Sequence, residues 1–267
     1  MSIRRTTASL AAAIALLAAL PTSSADQASI LSAALDAYDK AVASARENPP
    51  AAMDSYRQAA AGFESLAASG VRSAALEYNL GNTYYRLGDF GKAVLHFRRA
   101  QRLDPGDARI AANLRYARER VEPFIPPSGQ TQLIDRLLFW NNNISINGRF
   151  WIGAVGSVVG WLALLAWTRV RGVGFGIVAA IGITLGLANC ASVAAQLFDE
   201  QSRPHAVVTT ASQKLRAGRG DAYDEVLKQP LGGGVELRVL DVRGDWVEVR
   251  LSDNVSGWLP LSAIMRV

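Results

Sequence analysis

The chain has 267 residues, a net charge of +5 at neutral pH and a hydrophobic fraction of 50%. No run of Lys or Arg is interleaved with aromatic residues, so the composition argues against nucleic-acid binding. Cys190 is the only cysteine, which excludes an internal disulfide and a cysteine-based zinc site.

The N-terminus has the features of a secretory signal peptide. Arg4 and Arg5 precede an apolar stretch over residues 8–20, which is too short to cross a bilayer comfortably. Pro21 ends this stretch, and small residues at 23 and 25 suit a signal peptidase. We predict a signal peptide over residues 1–25, and the alternative is an uncut signal anchor. In both cases the chain beyond residue 25 is exported.

Residues 26–122 have a helical pattern, because apolar residues recur every three or four positions. A 34-residue unit numbered from Ala74 resembles the tetratricopeptide repeat, a helix–turn–helix unit. The signature positions are occupied by Leu80, Gly81, Tyr84, Ala93, Phe97, Ala100 and Pro105. The strict repeat therefore covers residues 74–107.

The residue types of this unit suit two crossing helices. Gly81 and Ala93 are small where the helices would approach, and Phe97 would fill the space between them. Glu77 departs from the pattern, because a large apolar residue is usual there, and Tyr78 beside it would supply the bulk. His96 has no partner in the sequence, and a surface role is expected for it.

One repeat cannot bury its own apolar face, so neighbouring helices should complete a stack. Residues 29–46 and 56–70 would form a degenerate repeat upstream, and a helix from residue 108 would cap the stack downstream. The expected result is an all-α, five-helix stack.

The first helices of successive repeats line a concave groove that can bind a peptide or a partner helix. By repeat position, the groove candidates are Tyr78, Asn82, Tyr85, Arg86 and Asn113. Asparagine amides can hydrogen-bond the backbone of an extended peptide. The alternative is that the asparagines bond from turn to turn and that the tyrosines belong to the core.

A linker and interfacial segment over residues 123–149 leads to two uncharged stretches, residues 150–167 and 173–198. Each is long enough for a transmembrane helix, and the short connection predicts an antiparallel hairpin. Glycines four residues apart, such as Gly156 and Gly160, allow close helix packing. Their alternative explanation is that glycine is simply common in membrane helices.

The orientation of the hairpin follows from the export signal rather than from charge. Arg169 and Arg171 favour a cytoplasmic loop, yet arginines also flank the other ends of the spans. Two spans return an exported chain to the side from which it came. We therefore expect a membrane protein whose N- and C-terminal domains both lie on the exported side.

Residues 204–267 change to a period of two, which is typical of half-buried strands, and predict a small all-β barrel. The Asp245-Trp246 strand start and the sequence "GWLP" at 257–260 resemble a bacterial SH3 domain. Some of these domains bind peptidoglycan peptides, so the resemblance makes Trp246 a candidate for a ligand surface. The alternative is that Trp246 and Trp258 only pack the barrel.

No catalytic motif is found. The sequence has no phosphate-binding loop, no Gly-x-Ser-x-Gly and no His-Glu-x-x-His. We expect a non-enzymatic protein without a cofactor or a metal site.

The order of the segments resembles the BatE-type proteins of bacterial aerotolerance operons. This resemblance spans nearly the whole chain and rests on order, since each motif alone is common. It implies a non-catalytic scaffold of the bacterial inner membrane, with both domains in the periplasm. There it would work beside von Willebrand factor A membrane proteins and a MoxR-type ATPase. The alternative role is a cell-wall-binding or wall-sensing protein that acts through its SH3-like domain.

Overall fold

The structure is a computed structural model, and it describes residues 24–123, 144–251 and 255–267. All but the last two residues of the predicted signal peptide (1–25) and most of the linker over 123–149 lie outside the described residues. The chain forms two compact units, the first ending at Arg72 and the second beginning at Ser73.

The first unit contains a pair of packed helices, α1 (Ser24–Ser44) and α2 (Pro49–Ala68). Asn48 caps α2, because its side chain accepts a hydrogen bond from the Ala51 amide at 3.2 Å. The two helices cross closely, since a Cβ atom at Gly62 would lie 2.8 Å from that of Ala34.

The second unit begins with three helices, α3 (Ala74–Leu87), α4 (Phe90–Leu103) and α5 (Ala108–Arg118). Ser73 caps α3, and Gly88 ends it in the left-handed conformation with φ of 78°. Asp89 then caps α4 by accepting from the Lys92 amide at 3.0 Å. The "LGDF" sequence is therefore a C-cap followed at once by an N-cap.

The crossing of α3 and α4 is as tight as the repeat pattern predicts. Leu80 and Phe97 are almost completely buried between the helices. A Cβ atom at Gly81 would lie 2.6 Å from the Phe97 ring, so no larger residue fits there without displacing that ring.

Two long apolar helices follow, α6 (Ile146–Val170) and α7 (Val173–Ser202), and pack against each other. Both are long and apolar enough to cross a membrane, and most of their surface is exposed. Gly160 and Gly182 meet at their contact, because a Cβ atom at Gly182 would lie 2.8 Å from the Gly160 Cα. These glycines therefore permit the close approach of the helices, as the four-residue spacing indicated.

The chain ends in a five-stranded antiparallel sheet. Its strands are β1 (His205–Val208), β2 (Glu236–Arg243), β3 (Trp246–Leu251), β4 (Ser256–Pro260) and β5 (Ile264–Arg266). The spatial order is β4-β3-β2-β1-β5, with a 3₁₀ turn, Leu261–Ala263, before the last strand. The structure shows this sheet, and its closure into a barrel stays a prediction.

The sheet packs directly against the repeat helices. Gly91 in α4 approaches the loop backbone so closely that a Cβ atom there would lie 3.2 Å from the Cα atoms of Thr209 and Gly233. The Gly232 amide also donates to the Glu122 carbonyl at 2.8 Å. The three glycines before β2, Gly232–Gly234, therefore allow the backbone of the sheet domain to approach the backbone of the repeat closely.

Candidate partner-binding groove

Three of the five predicted groove residues meet across two helices. The Asn113 amide in α5 donates to the Tyr78 hydroxyl at 3.1 Å and to the Asn82 side-chain oxygen at 2.8 Å, both in α3. All three side chains are only partly buried. They thus form a connected polar cluster, which we call the groove cluster, between the first helix of the strict repeat and the helix that follows it.

The other two predicted residues lie further along α3. Tyr85 packs edge-on against Phe90, with ring centroids 5.6 Å apart, and is half-buried. Arg86 is exposed and has no ion pair within the part of the chain that the structure describes. The cluster thus contains Tyr78, Asn82 and Asn113 but neither of these residues.

Two residues that the sequence reasoning missed extend the surface. The Arg109 guanidinium lies 5.8 Å from the centre of the Tyr78 ring, and Tyr116 is 51% exposed. Both fall on the Asn113 side of α5, since positions 109, 113 and 116 follow helical spacing. That helical spacing from Asn113 could have identified both residues in the sequence.

Asp107 orients the Arg109 side chain by accepting hydrogen bonds from it at 3.1 and 2.7 Å. These bonds lower the pKa of the Asp107 carboxyl to about 2.

The opposite side of α5 is covered by the sheet. Arg118 donates to both carboxylate oxygens of Glu236 in β2, at 2.6 and 3.0 Å. The Arg98 Nε atom in α4 lies 3.0 Å from the same carboxylate, although its N–H does not aim at an oxygen. Burial raises the pKa of Glu236, but Arg98 and Arg118 outweigh that effect and hold it below its usual range.

The outer side of α4 also hydrogen-bonds the backbone at the end of β5. Arg99 donates to the Arg266 carbonyl at 2.6 Å, and Arg102 donates to the Val267 carbonyl at 2.7 Å. Asn113 and Arg118 are five positions apart, or roughly 140° around the helix. The sheet therefore binds one side of the repeat and leaves the groove cluster on the other side.

Glu77 and His96 form a buried pair within the repeat. The Glu77 carboxylate lies 2.7 Å from His96 Nδ1, and the His96 ring stacks on Tyr84 at 5.5 Å between ring centroids. The surface role expected for His96 is wrong, because its side chain is buried against α3. Glu77 is accommodated at an apolar position of the repeat because His96 hydrogen-bonds it.

Trp246 lies on the half-exposed face of the sheet. Burial alternates along β3 and β4, with Val247 and Leu259 in the core. Trp246 and Trp258 lie on the opposite face of the sheet. The Arg219 guanidinium lies over the Trp258 ring, 5.7 Å from its centre. Both tryptophans are partly accessible, so packing of the core does not account for all of their surface.

Within the described ranges, no group of three or more His, Cys, Asp or Glu residues could hold a metal ion. Comparison with curated proteins finds no match. Comparison with protein families matches residues 74–107 to the tetratricopeptide repeat. This segment is therefore a tetratricopeptide repeat, and its presence indicates a role in protein–protein interaction.

Proposed function

We propose that the protein is a non-catalytic, membrane-anchored scaffold whose exported repeat binds a protein partner through the groove cluster. The observation that carries the proposal is the convergence of Tyr78, Asn82 and Asn113 between α3 and α5, on the side of α5 away from Arg118. Asn113 lies 31 positions after Asn82 and 35 positions after Tyr78, so only the packing of α5 against α3 brings it to these two residues.

The groove cluster suits recognition of a peptide segment. Mutual hydrogen bonds hold its amides and hydroxyl in place, so binding would cost little side-chain entropy. Tyr116 adds exposed aromatic surface beside the cluster, and tyrosine is enriched at interfaces. Arg86, which is exposed near the cluster on α3, adds positive charge, which would favour an acidic segment of the partner.

Anchoring in the inner membrane is supported by the two apolar helices and their connection. α6 begins and α7 ends at the same end of the hairpin, where Arg149 in α6 hydrogen-bonds Ser192 at 2.9 Å and also Gln196 in α7. The repeat and the sheet adjoin this end, since Arg102 pairs with Glu200 at 2.6 Å and Arg238 with Asp199 at 2.6 Å.

With the signal peptide exporting the chain, this end faces the periplasm and the partner is an exported or membrane-bound protein. The resemblance to BatE-type proteins makes von Willebrand factor A domain proteins of the same operon the first partners to test. The corresponding process would be an envelope stress or aerotolerance function that also involves a MoxR-type ATPase.

The test is affinity capture of the tagged full chain from gently solubilised membranes of its own host. We expect Asn82→Ala combined with Asn113→Ala to reduce recovery of a von Willebrand factor A protein by about tenfold, because two hydrogen-bonding anchors are lost. Lys228→Ala, an exposed change outside the repeat, should leave recovery unchanged. Equal recovery with all three chains would contradict the groove proposal.

A second candidate is peptidoglycan binding through the sheet domain, which the half-exposed face shared by Trp246 and Trp258 favours. Aromatic faces of this kind stack on apolar ligand surfaces. Sedimentation of the detergent-purified full chain with insoluble peptidoglycan would test it. Loss of co-sedimentation in Trp246→Ala, with retention in Tyr116→Ala, would support wall binding, and no co-sedimentation of the unaltered chain would exclude it.

A further inference from the structure

We infer that a depression at the end of α7 binds the phosphate headgroup of an anionic phospholipid. This inference rests on the membrane-anchoring part of the proposed function, and it is independent of what the groove cluster binds. The depression has a volume of about 480 Å³ and lies where the ends of α7 and α4 meet strands β1 and β5. The residues that line it include Arg102, Leu197, Glu200, His205 and Arg266.

The position of the depression matches the headgroup level of a bilayer. Leu197 lines it and is 50% exposed, and Phe198 beside it is 73% exposed on the apolar surface of α7. Phe150 and Trp151, at the start of α6, are exposed at the same end of the hairpin. Aromatic residues prefer this boundary between hydrocarbon and water.

The charge of the depression favours an anion. The one acidic side chain among its lining residues, Glu200, is already engaged by Arg102 at 2.6 Å and by Gln196 at 2.9 Å. Arg266, which also lines the depression, has no ion pair with any residue that the structure describes. Its guanidinium thus remains available for a phosphate group, which accepts charge-assisted hydrogen bonds from guanidinium.

His205 lines the depression as an uncharged imidazole. Burial lowers its pKa to about 4, and the positive charges of Arg98 and Arg238 add to that effect. An uncharged imidazole can still donate or accept a hydrogen bond at the periplasmic pH. The combination of an apolar rim at Leu197 with the unpaired guanidinium of Arg266 fits a lipid headgroup better than a freely soluble phosphate, because the acyl chains can remain on the α7 surface.

The test measures lipid retention by the detergent-purified full chain with native mass spectrometry. We expect phosphatidylglycerol to be retained in preference to phosphatidylcholine, and Arg266→Gln to weaken this retention about tenfold. Arg115→Gln removes an equal charge from an exposed helix position outside the depression and serves as the matched control. Glycerol phosphate at millimolar concentration should not displace the lipid if the acyl chains contribute.

Equal retention of the two lipids, or equal effects of Arg266→Gln and Arg115→Gln, would overturn the inference. Displacement by glycerol phosphate would show a phosphate site without lipid selectivity and would overturn it as well. Failure of the anchoring proposal is a separate result, because it would appear as release of the unaltered chain from membranes by alkaline carbonate.

Discussion

Glu77 is a buried carboxylate at a repeat position that is usually apolar, and replacing it measures what its pair with His96 contributes to stability. Replacement by alanine leaves His96 buried without its hydrogen-bond partner, and we expect a loss of about 1–3 kcal/mol in the free energy of unfolding. Thermal unfolding of the detergent-purified chain measures this as a lower midpoint. Glu77→Gln, which can keep the hydrogen bond, should lose less, and an unchanged midpoint in Glu77→Ala would show that the pair contributes nothing.

His205 predicts a pH dependence of stability. Its folded-state pKa of about 4 lies below the ordinary value of 6.5, because burial and then Arg98 and Arg238 disfavour the charged ring. Between pH 6.5 and 4 the unfolded chain therefore binds a proton that the folded chain does not. The free energy of unfolding should fall as the pH drops through this window, by about 2 kcal/mol from pH 7.5 to pH 5.

The measurement is the unfolding midpoint of the detergent-purified chain at pH 7.5 and at pH 5, with His205→Gln for comparison. Glu236 and Asp199 also face this ring, and both remain in the variant. The variant should lose less stability than the unaltered chain on acidification. The same loss in both proteins would assign the pH dependence to other groups.

At the scale of elements, the sequence predicts more of the repeat than of its surroundings. The Gly88-Asp89 turn and the Gly81–Phe97 crossing follow from local rules on caps and residue size, so they could be read from spacing alone. The Glu77–His96 pair could not, because nineteen residues separate its members and no local pattern joins them. The strands could be placed by alternation, whereas the order of the five strands depends on long-range pairing.

The hairpin predicts a definite labelling pattern under the proposed topology. In a Cys190→Ala background, a membrane-impermeant maleimide should label Ala51→Cys and Ser262→Cys in intact cells with a permeabilised outer membrane. Arg171→Cys in the connection of the hairpin should react only after the inner membrane is opened. Labelling of Arg171→Cys alone would reverse the orientation, and equal labelling of all three positions would argue against a spanning hairpin.

At the scale of the molecule, the association of sheet and repeat is the feature that the sequence did not predict. Glu236 joins Arg98 and Arg118 from two different helices, and Gly91 permits backbone contact with the sheet. Residues 98 and 236 are far apart in the chain, and arginines on a helix surface are usually solvated, so their pattern carries no signal of this contact. The groove cluster was within reach of prediction only because repeat positions specify which residues of a first helix face the groove.

The central claim, that the exported groove binds a protein, is tested most directly by site-specific photo-crosslinking in intact membranes. A photoreactive amino acid at Asn82 would report on the groove, and the same amino acid at exposed Lys228, outside the repeat, is the matched control. We predict a discrete crosslinked product containing a von Willebrand factor A protein at position 82 and none at position 228. No product at position 82, or the same product at both positions, would contradict binding through the groove.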